Sequence, residues 1–210
     1  MSVLNKLASA LNRRDEVPNQ ELAKHIADKG DKKAIEELAA NLTNKSRDIQ
    51  SDCIKVLYEI GERKPELVAP YAKDFIALLD SKNNRLQWGA MTAISAVASA
   101  APKAIYAALP KIVDVAAKGS VITKDHCVKI LVRLGELKQH NADVFPLLLE
   151  QLIAAPVNQF PSYAESALTI VNDKNKAQLL KTINNRLDDI EQESKRKRVE
   201  KVIKKLNGRK

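Results

Sequence analysis

The stretch N-R-L-Q-W-G-A-M-T-A-I-S-A-V-A-S-A-A, Asn84 to Ala101, decides how this chain folds, because it recurs in loose form at a fixed interval. With four segments set in register at a spacing of 37 residues, Cys53, Ala90, Cys127 and Ala164 share one column. Ile54, Met91, Val128 and Glu165 share the next, then Val56, Ala93, Ile130 and Ala167, then Leu57, Ile94, Leu131 and Leu168. Ile60, Val97, Leu134 and Val171 follow, beside Gly61, Ala98, Gly135 and Asn172. Apolar steps of three, one and three trace one stripe of an α-helix. The small column marks where neighbouring helices approach most closely.

A second apolar helix follows the first in every unit. These helices are expected from Pro65 to about Ser81, Pro102 to about Lys118, Asp143 to Ala155, and Lys174 to about Asp189. Prolines early in such segments start or bend a helix without ending it. Two antiparallel helices per unit, stacked in series, predict an all-α fold. The expected architecture is a right-handed α-α superhelix, a solenoid of about four repeats with capping helices at both ends.

The expected boundaries are an N-terminal cap over 1–45, repeats over 46–83, 84–120, 121–157 and 158–189, and a basic C-terminal cap and tail over 190–210. Within the N-terminal cap, Val3, Leu4, Leu7, Ala8 and Leu11 predict an amphipathic helix over 2–13, capped by Ser2. A second helix runs from Pro18 to Lys29 and stops at Gly30, and a third is capped by Asp31.

Composition agrees. Aromatics make up 4% of the chain, so Ala, Leu, Ile and Val build the core. Six Gly and eight Pro are too few for the frequent turns of a β-sandwich. No apolar run approaches the ~20 residues of a membrane span, and the N-terminus lacks a signal-peptide pattern. Two cysteines make no disulfide framework, so the expected setting is reducing and cytoplasmic.

Gly61–Tyr71, then Leu78-Leu79-Asp80, then Arg85–Ile94 resemble a HEAT repeat. That family has a proline near the turn, an Asp after the second helix, and Val-Arg-x-x-Ala-x-x-Ala-Leu opening the next unit. Asp80 and Ala90-x-x-Ala93-Ile94 match. Gln87 and Gln50 stand where the family has Arg, and the Asp column reads Thr43, Asp80, Ala117, Ala154. Order between repeats must therefore rest on apolar packing. The resemblance spans roughly 46–189 and implies a scaffold whose second helices line a concave, partner-binding face. Exposed positions there are expected at Lys73, Asp74, Lys111, Asp114, Lys118 and Gln151.

No catalytic constellation is visible, so no enzyme, cofactor or metal site is expected. Cys53 and Cys127 lie two units apart, roughly 16–20 Å for packed helices, beyond the ~7 Å that a disulfide allows. His25, His126 and His140 have no ligand spacing around them and read as surface or helix-end residues. Asp125-His126-Cys127 looks like a triad fragment, but consecutive helical side chains diverge.

Trp88 stands out. Its column is otherwise Ser51, Asp125 and Ser162, all polar. It reads either as a contact anchor, with Arg85 one turn earlier, or as a cover over the gap to the next unit. The net charge of +9 is uneven: residues 1–173 hold 22 Lys/Arg against 21 Asp/Glu, residues 174–210 hold 13 against 5. Lys195, Arg196, Lys197, Arg198, Lys201, Lys204 and Lys205 make that end basic. It reads as a solvated face on a capping helix, or as an electrostatic contact. The expected function is a non-catalytic scaffold binding a protein partner. The alternative is a nucleic-acid-binding protein, in DNA repair or on chromosomes, working through that basic segment.

Overall fold

The computed structural model describes residues 2–208, and among them every regular element is helical. They fall into two compact units, one ending at Thr123 and one beginning at Lys124. No helix among the described residues is long and apolar enough to cross a membrane.

The first unit begins with a correction. The helix expected over 2–13 is only a 3-10 turn, Val3–Lys6, capped by Ser2. Side chains intercept the backbone donors that would have continued it. The Ala8 N–H donates to Asn19 Oδ1 (3.0 Å) and the Ser9 N–H to Asp52 Oδ2 (2.8 Å). Asn12 then turns the chain with φ of 53°, and Leu11, expected on the apolar face, is 50% exposed.

Helix α1 (Val17–Lys29) starts at Pro18 and stops at Gly30, whose φ of 63° lets its N–H and that of Asp31 close on Ala27 and Ile26 carbonyls. Asp31 caps α2 (Lys32–Ala40), as its sequence predicts, and Ser46 caps α3 (Arg47–Arg63). The second helix of the first repeat is not continuous. It splits into α4 (Pro65–Val68), a 3-10 turn at Ala69–Tyr71, and α5 (Ala72–Ala77). Pro70 has no N–H to donate and its ring crowds the Glu66 carbonyl, which breaks the ladder. Helix α6 (Asn84–Val97) opens the next repeat under an Asn83 cap. Its partner splits in the same way, into α7 (Pro102–Ala107) and α8 (Leu109–Lys118), with Pro110 at the break.

Packing follows the register. Helices α1, α3 and α6 lie side by side. Cys53 and Ala90 are fully buried, as are Leu57, Ile60, Ile94 and Val97. At Gly89 the approach is so close that a Cβ would sit 2.7 Å from two Ile54 carbons, so only glycine lets α6 settle on α3 there.

Helix α9 (Val121–Gly135) starts in the first unit and supplies the first helix of the second. Then come α10 (Lys138–Ala154), α11 (Phe160–Ala167), α12 (Lys176–Leu187) and α13 (Glu193–Asn207). Helix α10 begins earlier than the expected Asp143 and runs through Pro146. Cys127 and Ala164 are fully buried. Asn172, where sibling units have Gly or Ala, belongs to a side-chain network. Asn141 Nδ2 donates to the Gly135 and Ile170 carbonyls (3.0 and 2.8 Å), and Asn141 Oδ1 accepts from Asn172 and Asn175 (2.8 and 3.3 Å). Arg186 closes the far end of α10. Its Nη1 donates to the carbonyls of Leu152, Ile153 and Ala155 (2.9, 2.9 and 2.8 Å) while the guanidinium lies 4.9 Å over the Phe160 ring. The Leu152 carbonyl also takes the Ala155 N–H (3.4 Å), and the end of a helix otherwise leaves such carbonyls without intrahelical donors.

Candidate binding groove

The first unit contains a groove of about 970 Å³. Its lining comes from the N-terminal segment and from the first helices α3 and α6, reaching Ile122 at the start of α9. The second helices of this unit, expected to line the partner-binding face, contribute no residue to this groove. First helices pack flank to flank across small residues such as Gly89 and Cys53, and the recess follows that side.

One wall is residues 8–19. It is anchored by Asn19, 2% exposed, whose Nδ2 donates to Asp52 Oδ1 at 2.7 Å while its Oδ1 takes the Ala8 N–H. Arg13 grips Asp15 with two bonds of 2.8 Å, which hold the Asp15 carboxyl below its ordinary range. Lys55 on α3 binds Glu16 at 2.7 Å and Glu59 at 3.0 Å, with its ammonium 4.8 Å over the Tyr58 ring. Burial works to depress the Lys55 ammonium, but its bonds to Glu16, Tyr58 and Glu59 outweigh that and raise it.

The opposite wall is α6. Trp88 is half-buried and Arg85 exposed, and both face the groove. The close seat of Gly89 on Ile54 fixes the height of Trp88 against α3. Among the described residues, neither Arg14 nor Arg85 has a carboxylate within ion-pairing distance. The groove thus joins Trp88 and Arg85 with Tyr58, Lys55 and Arg14, which the sequence left in separate elements. The spacing of 37 could have flagged Lys55 and Thr92 as one column, but nothing in the sequence foretold that Asn19 folds residues 8–16 back over α3.

The other candidates lie elsewhere. Lys73 is exposed on α5. Lys111 pairs with Asp80 at 2.6 Å, and Asp114 with Lys118 at 2.6 Å. Gln151 is half-buried on α10 in the second unit.

The basic C-terminal segment is largely engaged with its own unit. Helix α13 packs on α11 and α12 and buries Val199, Val202 and Leu206. Arg198 makes a bidentate pair with Glu165 (2.8 and 2.6 Å) and reaches Ser162 at 3.0 Å. This explains why Glu165 interrupts an otherwise apolar column. Arg196 meets Asp188 (3.1 Å) and Glu200 (3.4 Å), Lys197 meets Glu193 (2.6 Å), and Lys195 donates to Asn158. Lys201, Lys204 and Lys205 are exposed.

Cys53 and Cys127 are buried, and His126 is half-buried. Burial pushes both thiols up to about 12, which leaves them protonated. His126 is a correction. It is half-buried rather than superficial, and burial, aided by Lys129 and Arg133, lowers it to about 4. Its neighbour Asp125 accepts from the Tyr163 hydroxyl at 2.5 Å. No cluster of metal-ligating side chains occurs among the described residues.

The fold defines a class, the helical-repeat proteins. A designed armadillo repeat protein, solved in complex with the peptide (KR)4, superposes with a TM-score of 0.70 at 16% identity, over 98% of this chain and 100% of that one. An engineered protein from a structural genomics consortium superposes with a TM-score of 0.66 at 18% identity, over 99% and 97%. Computationally designed armadillo repeat proteins for modular peptide recognition superpose with a TM-score of 0.64 at 15% identity, over 96% and 97%. At these identities the likeness is one of fold: an all-α solenoid of helical repeats. No protein-family model matches the chain, and no curated protein matches it by sequence.

Proposed function

We propose that this chain is a non-catalytic scaffold that binds a protein partner through the groove of its first unit. The observation that carries this reading is the lone tryptophan. Trp88 is held half-exposed by the Gly89 contact, beside Arg85 and Tyr58 in a recess large enough for several side chains. Trp, Tyr and Arg dominate binding energy at protein interfaces. The fold is shared with designed proteins described as made for peptide recognition, which supports a peptide or protein as the ligand. Cut at Ser46 the repeats read as HEAT-like pairs. Cut at Pro65, the broken second helix gives a three-helix, armadillo-like unit. We favour the pair, because the 37-residue register runs through the first helices. The unpaired, buried cysteines fit a reducing compartment such as the cytoplasm.

Engagement of Lys195, Arg196, Lys197 and Arg198 within the second unit weighs for a protein rather than a nucleic acid as the partner. The test compares affinity purification with the full chain and with Trp88→Ala. Proteins retained by the first and lost with the second are the expected result. Identical recovery from both would remove the groove from the reading.

A further inference from the structure

Four cations line the groove, Arg13, Arg14, Lys55 and Arg85, together with four carboxylates, Asp15, Glu16, Asp48 and Asp52. They balance in formal charge but do not pair evenly. Asp15 is held by Arg13 and Glu16 by Lys55. Asp52 accepts from the Ser9 N–H and from the Asn19 amide. Asp48 stands on the first turn of α3, where the positive helix end stabilises a carboxylate. Among the described residues, Arg14 and Arg85 remain as the groove cations with no carboxylate within ion-pairing distance.

Their setting is apolar on one side. Positions 48, 85 and 122 are equivalent in the 37-residue register, so Asp48, Arg85 and Ile122 follow one another along the first turns of the first helices. Ile122 is 42% exposed, and Trp88 lies one turn from Arg85. Neighbouring packed helices are about 8–10 Å apart, and an extended chain advances about 3.3 Å per residue, so about three residues span one helix to the next.

We propose that the groove takes a short, extended, acidic peptide segment: a large apolar side chain seats on Trp88 and Ile122, and an Asp or Glu within about three residues of it reaches Arg85 and Arg14. This rests on the protein-binding reading above and names the chemistry of the partner. A nucleic acid carries charge of the same sign, but it would run a continuous phosphate chain past Asp15, Glu16, Asp48 and Asp52. A peptide can place single carboxylates at the two free arginines.

Trp88 is the only tryptophan, so its emission reports on the site directly. The full chain is panned against displayed random peptides of about ten residues, ~33 Å when extended. Enriched sequences are then synthesised and titrated while tryptophan emission is read. Parallel titrations use versions with Lys in place of Asp and Glu, and a single-stranded oligonucleotide. The expected result is enrichment of Asp or Glu near a large apolar residue, an emission shift on binding, and about tenfold weaker binding to Arg85→Glu. The Arg14→Glu/Arg85→Glu variant should prefer the Lys-bearing versions. Both sites are exposed, and unchanged melting of the variants verifies that they fold. Basic or charge-indifferent peptides that shift the emission would overturn the acidic inference and leave the groove as a protein site. Absence of any emission-shifting peptide, or tighter binding by the oligonucleotide, would overturn both.

Discussion

The two units use cations in opposite ways. By composition the second is the basic one, with most of the excess charge in its last 37 residues. Yet three of its arginines are tied down: Arg198 to Glu165, Arg196 to Asp188 and Glu200, Arg186 to three carbonyls and Asp189. The first unit is less basic, with 18 Lys/Arg against 15 Asp/Glu over residues 1–123, but Arg14 and Arg85 stand outside any ion pair beside Trp88. A partner meets the charge that the fold leaves unpaired, which the net charge of a segment does not report. On that basis the less basic half, rather than the more basic one, carries the candidate site.

The sharpest way to break this comparison is to delete one cation of each kind. Arg186→Ala removes a charged donor from three helix-end carbonyls, of which Leu152 keeps the Ala155 N–H, and removes the stack on Phe160. Hydrogen bonds to a charged group contribute about 1.5–3 kcal/mol, so a loss of about 3 kcal/mol is expected, seen as a lowered midpoint in denaturant. Arg85→Ala should stay within about 0.5 kcal/mol of the parent while weakening partner binding. Equal losses for the two would erase the distinction between committed and free charge.

A second test is acid. His126 binds a proton near pH 6.5 when unfolded but only near 4 when folded, because burial opposes the charge. Between those values the unfolded state holds the extra proton, so stability is intact above about pH 6.5 and is lost as pH falls toward 4. A loss of order 1–3 kcal/mol is expected across that window. Chemical denaturation at several pH values measures it, and His126→Gln should flatten the slope.

A third change moves the groove rather than its charge. Gly89→Val puts branched carbons into the space of Ile54, and overpacking of this kind costs about 1–3 kcal/mol. It should also alter the emission of Trp88 by lifting α6 from α3. A variant with parental stability and emission would show that the close contact does not set the tryptophan. The register made this contact half legible: the small column at Cys53 and Ala90 said where helices approach, and Trp88 stood out against polar siblings. The breaks at Pro70 and Pro110 were harder to read, because early prolines are compatible with both a bent and a split helix. The groove wall was invisible, because Asn19 and Asp52 capture the backbone of Ala8 and Ser9 across long sequence gaps. Pattern along the chain records helix faces, and it carries no trace of a side chain that intercepts a distant N–H.

The smallest expected effect falls on the most conspicuous ion pair of the second unit. Arg198 and Glu165 are matched in bidentate geometry, but both side chains are about two-fifths exposed, at 42% and 41%. Water and salt screen such a pair, so Arg198→Ala should cost no more than about 1 kcal/mol. Its signature lies in pH. The Arg198 hydrogen bond, with burial opposing it, holds the Glu165 carboxyl below its ordinary value. The pair therefore stabilises the fold above the unfolded glutamate value of about 4.3, and that contribution fades as pH drops through the lower folded value. Parent and variant should differ at neutral pH and converge in acid, and the neutral gap should shrink as salt is added. If the gap instead persists in acid and in salt, Arg198 acts through its stem packed on α11 rather than through its charge, and the basic face of α13 is then held by apolar contact alone.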